Sequence, residues 1–532
     1  MQETKVNTAT NEPEKEYSQY TSIEHRKKFA QFFTPFSVAQ FMANWLNGNN
    51  NLKTVLDPAF GLGVFARAIR QINTNCLIKG FEIDENILQQ AANIFEDDTK
   101  TSIQLKDYMF NDWENKYDGI ICNPPYFKFH DYDNKTILKN IEEKLRLKLS
   151  GFTNLYTLFL VKSAYQLNAG GRAAYIIPSE FLNSDYGKLV KSYLIKNQLL
   201  RYIIIFDFEE NVFDDALTTA SILLFANDNK KSEVEFIKIK TPDELFSLQV
   251  KFQLYPHFNS DNAILFSELN PEIKWRAYYQ KQNALSFKNL VPFTNFGKVV
   301  RGIATGANDY FTFNQSKAKR NNISEKYLLP CITKSIEIGG AFFTKEDFEK
   351  LKLNDKFVYL LNATDPNDKS LKNYLTKGEA EEIHKKFLTA CRNPWYSLEN
   401  RPPSPIWVSV FNRNGLRFVR NEANISNLTT FHCVYLNMFS APKADLLFAY
   451  LQTEISKDIF NDNRREYGNG LQKFEPNDIN KALVVDIAKI QAKDEQTILE
   501  LYHCYRKSEL NKKPDKKLLQ DINLVFADIF AY

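Results

Sequence analysis

Asn123-Pro124-Pro125-Tyr126 is the stretch of this 532-residue chain whose residue types suit chemistry on an amino group. Consecutive prolines have no N–H to donate, so the backbone there offers only carbonyl acceptors and cannot curl into a helix. The Asn side chain adds a further carbonyl acceptor in front, and the Tyr ring adds a flat face behind. A planar group bearing an –NH2 is what such a site would hold. Taken alone, Pro-Pro more often marks a plain turn, so the surroundings have to decide.

Those surroundings are the ends of strands. The run before Asn123, residues 117–122, is apolar and reads as a buried strand of a parallel sheet, with the tetrapeptide at its carboxyl end. Ligands of open α/β sheets bind just beyond that end. An earlier strand runs into Asp57-Pro58-Ala59-Phe60-Gly61-Leu62-Gly63, where glycines let a ligand approach the backbone and a helix N-terminus follows. Glu82 closes the next strand, placed to accept ribose hydroxyls, and Asp107 closes another, placed to accept from an adenine amino group. Together they describe a pocket for an adenosine-containing cofactor. Gly61, Gly63 and Ala66 also satisfy the dinucleotide-binding pattern, which leaves NAD as an alternative.

The elements that carry these residues alternate from about residue 25 to 245. Strands are expected at 54–58, 77–83, 117–122, 172–178, 200–207, 220–226 and 233–239, with helices at 62–72, 84–95, 155–167 and 179–196. The last strands lack helix-length spacers, so an antiparallel edge is expected there. Residues 1–20 read as a flexible polar tail, 21–245 as the α/β domain and 246–284 as a connector. Residues 285–532 read as a second, α+β domain ending in a helical tail at 488–512.

Composition excludes several classes. Apolar content of 44% and charged content of 25% are those of a globular protein, and 532 residues suit two large domains. No apolar run approaches the roughly 18–20 residues of a membrane span, and no signal peptide is evident. Six cysteines form no C-x-x-C pair and no zinc spacing with the six histidines, so a reduced, cytoplasmic, metal-free protein is expected. A net charge of +4 argues only weakly for a polyanionic partner; local clusters have to carry that case.

Residues 25–245 resemble the S-adenosylmethionine-dependent amino-methyltransferases, specifically the γ-arranged DNA adenine-N6 methyltransferases of type II restriction–modification systems. Phe33-Thr34-Pro35 with the helix after it resembles their cofactor-closing motif, Asp57–Gly63 their glycine loop, and Phe81-Glu82-Ile83-Asp84 their ribose-binding strand end. Asp107-Tyr108 resembles the adenine-binding position, and Asn123–Tyr126 the catalytic tetrapeptide. Asn154–Phe159 and Gly170–Pro178 look like the helix and strand that follow, and Asn211-Val212-Phe213 like the loop facing the target base. Phe60 departs from the small residue or Cys common there.

The resemblance implies a Rossmann-like methyltransferase sheet followed by a target-recognition domain, acting on double-stranded DNA as a monomer, alongside a separately encoded restriction endonuclease. Its catalytic residues would be Asn123, Pro124, Tyr126 and Phe213. S-adenosyl-L-methionine would be held by Thr34, Asp57, Ala59, Gly61, Gly63, Glu82, Ile83, Asp107, Tyr108, Pro125 and Phe159, and no metal is implied. Residues 297–309 look like the opening of the recognition domain. DNA contacts would come from Arg301, Thr305, Lys317, Lys319, Arg320, Trp395, Arg413, Arg464, Arg465 and Lys473, where basic side chains lie among aromatic and turn residues. Methylation of protein glutamine, of RNA or of cytosine N4 stays open, as does a catalytically inactive DNA-binding protein.

Overall fold

In the computed structural model the chain divides into two compact units, Met1–Gln280 with Glu466–Gly470, and Lys281–Arg465 with Leu471–Tyr532. Residues 10–49, 51–128, 132–206, 220–241, 243–257, 262–280, 282–412, 416–466 and 472–532 are described, without the side chains at 465, 466 and 472.

The first unit is built on a nine-stranded sheet. Its strands are β1 (Thr54–Asp57), β2 (Leu77–Glu82), β3 (Thr101–Leu105), β4 (Tyr117–Cys122), β5 (Leu167–Pro178), β6 (Leu200–Phe206), β7 (Ala220–Ala226), β8 (Glu233–Ile239) and β9 (Ala263–Leu265), in the order β3-β2-β1-β4-β5-β7-β6-β8-β9. Strands β3 to β5 of that order run parallel, as their fully apolar or half-buried patterns imply. Within 200–239 the antiparallel strand is interior, since β7 inserts between β5 and β6 and runs against both, and the antiparallel edge lies later, at β9 beside β8. All seven residues of β7 are buried, which suits an interior strand. Strand order reverses between β1 and β4, so the Asp57–Gly63 loop and Asn123–Tyr126 both leave the sheet at its switch point.

Helices cover both faces. In chain order they include α1 (Glu12–Tyr20), α2 (Ile23–Lys28), α3 (Phe36–Asn47), α4 (Val64–Arg70), α5 (Glu85–Ile94), α6 (Asn134–Leu145) and α7 (Leu155–Gln166). In α3 the apolar residues Val38, Phe41, Met42, Trp45 and Leu46 recur at helical spacing and are all buried. The Trp45 indole donates to the carbonyls of Ala173 and Phe225, tying α3 across the β5–β7 pair.

Two sequence expectations are corrected here. Residues 1–20 are not all tail: Asn11-Glu12-Pro13 starts α1, where proline suits the first turn, and Tyr17 is 1% exposed. Glu14 of this helix forms a buried ion pair with Arg67 of α4, a contact between distant positions that composition cannot show. Residues 246–284 are not a connector either. The helix Asp243–Phe252 packs Phe252 on Tyr202 and Trp45, β9 extends the sheet, and Trp275 is fully buried. Spaced apolar residues there build core, although the polar residues between them read as linker.

The second unit holds a five-stranded sheet, ordered Gly297–Arg301, Phe431–Leu436, Ile406–Ser409, Phe418–Asn421 and Phe342–Phe343. Its core is shared with the helices Ala444–Leu451, Glu454–Asn461, Ala492–Leu510 and Lys516–Phe530. The helical tail expected at 488–512 is thus Ala492–Leu510, with Lys516–Phe530 added after it.

Candidate active site

A cleft of about 380 Å³ opens at the carboxyl ends of β1, β2 and β4, a size within the range of small-molecule sites. Of the residues expected to hold a cofactor, Ala59, Gly61, Glu82, Ile83, Asp107, Tyr108, Pro125 and Phe159 line it, together with Asn123. Gly61 has φ +54 and open space where a Cβ would point, so a ligand can approach its backbone. Gly63 has φ +71, caps α4 and faces the Phe60 and Phe95 rings, so its part is to pack the loop. The unusual Phe60 is seated by these glycines: its ring occupies the space a Cβ on Gly80 would take.

The carboxylates are fixed by backbone donors. Glu82 accepts from the N–H groups of Gly61 (2.9 Å), Ile83 (2.8 Å) and Asp84 (2.9 Å), which aims it from β2 across the glycine loop. Asp107 accepts from the Met109 N–H at 2.8 Å and caps the short turn Tyr108–Phe110. Burial raises the pKa of both above the usual carboxylate range, against the pull of these donors. Asp57 lies deeper, with no exposure and its Oδ2 without a partner. Burial pushes its pKa up to about 8, with the charge of Glu82 acting the same way.

Behind the Asp107 turn sits Lys162 of α7, fully buried, whose ammonium donates to the carbonyls of Tyr108 and Asn111 and lies 3.8 Å from the Tyr108 ring centroid. Lys162 was not anticipated from the sequence, because a lone lysine in an apolar helix carries no motif.

The remaining wall is made by residues 28–33, between α2 and α3. Phe29, Phe32 and Phe33 stand there just ahead of the Thr34-Pro35 motif, and this aromatic run was the available signal for them. The segment is tied down at Asp84, whose Oδ2 takes Gln31 Nε2 at 2.6 Å and lies 2.7 Å from His25 Nε2. Thr34 itself does not line the cleft. It is 2% exposed, and its hydroxyl oxygen accepts from the Asn123 amide, so the structure places it behind the cleft wall and against Asn123.

Asn123 therefore has a defined orientation. Its Nδ2 donates to the Phe32 carbonyl at 2.8 Å and to Thr34 Oγ1 at 3.0 Å, while Oδ1 is buried with no partner. Pro124 is buried beside it, and the Tyr126 ring stacks on Phe32 at 5.5 Å between centroids and 18° between planes. Asn123 thus presents a held, vacant acceptor at the mouth of β4. Phe213, expected to face the target base, lies outside the described residues, as does Arg413.

In the second unit the expected DNA contacts divide. Arg301, Lys319 and Arg320 are exposed, and Lys473 is half-buried beside Glu475. Arg464 is half-buried, and the Arg465 side chain lies outside the described residues. Three others have structural positions instead. Lys317 donates to the carbonyls of Asp309 (2.6 Å), Tyr310 (2.9 Å) and Thr312 (2.8 Å), so its three protons are engaged. Thr305 is 1% exposed and donates to Asn308 Oδ1. Trp395 packs against Tyr310 and Phe311 and donates to Glu379. Arg392, in the same segment, holds the Ala304 and Thr305 carbonyls. Among the described residues no helix is long and apolar enough to cross a membrane, and no cluster of three or more metal-ligating side chains occurs.

A family model described as N-6 DNA Methylase matches residues 16–257, and another, Type II methyltransferase M.Eco57I, C-terminal domain, matches residues 274–519. The chain is 59% identical to the type II methyltransferase M.AccI of Acinetobacter calcoaceticus over 534 residues, spanning 100% of this chain and 99% of that protein. It is 22% identical to the type II methyltransferase M.XamI of Xanthomonas campestris pv. amaranthicola over 86% of each. Among solved structures, the type IIL restriction–modification enzyme MmeI in complex with DNA shares the fold, with a TM-score of 0.56 and 14% identity over 93% of this chain and 73% of that one. With the 59% identity kept from end to end, the chain belongs to the type II DNA methyltransferases of restriction–modification systems and carries an N-6 DNA methylase domain.

Proposed function

We propose that this protein transfers a methyl group from S-adenosyl-L-methionine to the N6 amino group of an adenine flipped out of duplex DNA. The observation that carries the reading is Asn123, whose amide nitrogen is fully engaged while its oxygen is buried and vacant. Adenine N6 is a poor nucleophile because its lone pair is delocalised into the ring. Two acceptors on its N–H bonds, Asn123 Oδ1 and the Pro124 carbonyl, draw the nitrogen toward tetrahedral geometry and stabilise the positive charge that develops on it. No side-chain base is needed before attack: as the N–C bond forms the methyl–sulfur bond would break, S-adenosylhomocysteine would leave, and the surplus N6 proton would pass to solvent afterwards, so the remaining work is in-line positioning.

The cleft fits the cofactor. Glu82 is held by three backbone donors with lone pairs to spare for ribose hydroxyls, Asp107 is placed to accept from an adenine amino group, and aromatic walls enclose the space between. When bound, the cofactor supplies an electrophilic methyl group. The amino group is unreachable inside a duplex, so the base is extruded at a cost of a few kcal/mol. Stacking on Tyr126 offsets this by roughly 1–3 kcal/mol. The second unit supplies sequence recognition through Arg301, Lys319, Arg320, Arg464, Arg465, Arg413 and Lys473. The resulting mark protects the DNA from a separately encoded restriction endonuclease.

The test is nucleoside mass spectrometry of unmodified duplex DNA after incubation with the protein and S-adenosylmethionine. N6-methyladenine is expected with the natural chain and none with Asn123→Ala, which keeps cofactor affinity. N4-methylcytosine in its place, or labelling of RNA or protein but not DNA, overturns the adenine reading.

A further inference from the structure

We propose that Thr34, together with the Phe32 carbonyl, is the positioning device that sets the Asn123 amide with its oxygen toward the substrate; the proposal deepens the amino-methyl-transfer reading and rests on it. A backbone carbonyl can only accept, so the group 2.8 Å from Phe32 O has to be the amide nitrogen. Turning the amide over would set two oxygens face to face and would swing Oδ1 away from the vacant side. Thr34 Oγ1, at 3.0 Å, takes the second amide proton, so both are consumed on one side of the group. A buried amide oxygen ordinarily finds a donor, yet Asn123 Oδ1 has none among the described residues, which leaves it for an incoming N–H.

The device is itself braced. Asn11 Nδ2 donates to the Thr34 carbonyl at 3.0 Å, and Asn11 Oδ1 accepts from the Phe36 N–H at 2.7 Å, so the backbone on both sides of Pro35 is pinned to the start of α1. Gln31 is held by Asp84, and the Phe32 ring lies against Tyr126. One short segment therefore walls the cofactor cleft with Phe32 and orients the acceptor with Thr34. Thr34 is 2% exposed and off the cleft wall, so its hydroxyl can be removed without altering the residues that line the cleft.

This separates turnover from binding. Thr34→Val keeps the shape and loses the acceptor, whereas Thr34→Ser keeps the acceptor. With the full-length protein and unmodified duplex DNA, Thr34→Val is expected to lower kcat by about 10²-fold, the scale of a misplaced catalytic group. Its cofactor Kd should stay near the natural value, and Thr34→Ser should restore most of kcat. Thr34→Ala serves if the valine variant does not fold, as judged by its Tm. Natural kcat in both hydroxyl-free variants, or loss of cofactor affinity in step with kcat, overturns the proposal. A substrate-independent readout is solvent exchange of the Asn123 side-chain amide protons in asparagine-15N-labelled protein, assigned by their loss in Asn123→Ala. Protection of both protons in the natural chain and in Thr34→Ser, with one of the two losing it in Thr34→Val while the proton on the Phe32 carbonyl keeps it, is expected, and equal exchange in all three overturns it. N4-methylcytosine in place of N6-methyladenine would sink the adenine reading and leave these ratios to judge Thr34 separately.

Discussion

Asp84 and His25, 59 residues apart in sequence, meet at 2.7 Å between Oδ2 and Nε2, and this pairing ties the segment between α2 and α3 to the strand end that carries Glu82. Asp84 is 3% exposed and caps α5 through the Asn86 N–H, so it belongs to the sheet side of the cleft. The same Oδ2 takes Gln31 and the Tyr17 hydroxyl, so three side chains, from α1, α2 and the segment after α2, converge on one oxygen. Local turns hold the start of the wall made by residues 28–33, through Ala30 N–H to Lys27 O and Gln31 N–H to Arg26 O, and this latch ties it to the sheet side of the cleft.

Breaking the latch should loosen cofactor binding without removing a cofactor contact. A hydrogen bond to a charged group contributes about 1.5–3 kcal/mol, so His25→Ala is expected to weaken S-adenosylmethionine binding by about 10- to 100-fold. Isothermal titration of the two proteins checks this; an unchanged Kd means the wall stays closed without His25.

Asp57 gives the protein without ligand a defined pH dependence. Its folded carboxyl titrates at about 8, first because it is buried, whereas the unfolded one ionises near 4. Between those values the unfolded state has released a proton that the folded state still holds, so stability falls as pH rises through the window, by up to about 1.4 kcal/mol per unit. Thermal unfolding should show Asp57→Asn gaining on the natural chain from pH 5 to pH 8. Parallel profiles for the two would contradict a carboxyl that is neutral in the folded protein.

Lys162 supports the turn after Asp107 from behind. Burial pushes its pKa down to about 7, with Lys79 acting the same way and Asp112 and Asp107 opposing. Lys162→Met fills similar space but leaves the Tyr108 and Asn111 carbonyls bare, at about 1–3 kcal/mol each. A lower Tm is expected, together with a cofactor Kd raised about tenfold, which is 1.4 kcal/mol of turn support removed. A lower Tm with unaltered Kd would separate the lysine from the cleft.

Salt dependence distinguishes the basic residues of the second unit. Every DNA phosphate that a cation neutralises adds roughly 0.9 to the slope of log K against log salt, so removing that cation lowers the slope by as much. Arg320→Ala and Lys319→Ala are expected to lower it, because both side chains are exposed. Lys317→Met should leave the slope unchanged and reduce Tm, since its ammonium is bonded to three carbonyls. A reduced slope in Lys317→Met would place that lysine on DNA after all.

Much of the first unit was legible in the sequence, because its signals are local. Apolar runs of strand length mark β1, β2 and β4 to β8, and a glycine or carboxylate after three strand ends points at one crevice. The antiparallel edge expected among the strands of 200–239 is instead β9, and β7 is antiparallel inside the sheet, since pairing order depends on which edges meet and not on the run itself. Helix α1 and residues 246–284 were misread because polar residues outnumber the few buried ones, Tyr17, Phe252 and Trp275, that decide their fate.

The sequence by itself determined the chemistry on offer: acceptors at Asn123 and Pro124, a ring at Tyr126, and carboxylates at Glu82 and Asp107, all residue types at strand ends. Only the tertiary structure decided which atoms of those residues are available. Thr34 meets the Asn123 amide with its oxygen, and Lys317 and Trp395 have polar atoms already engaged by neighbours in the second unit. The reason is physical: a side chain's type fixes what bonds it can make, but which of them remain to be made depends on partners brought together from far along the chain.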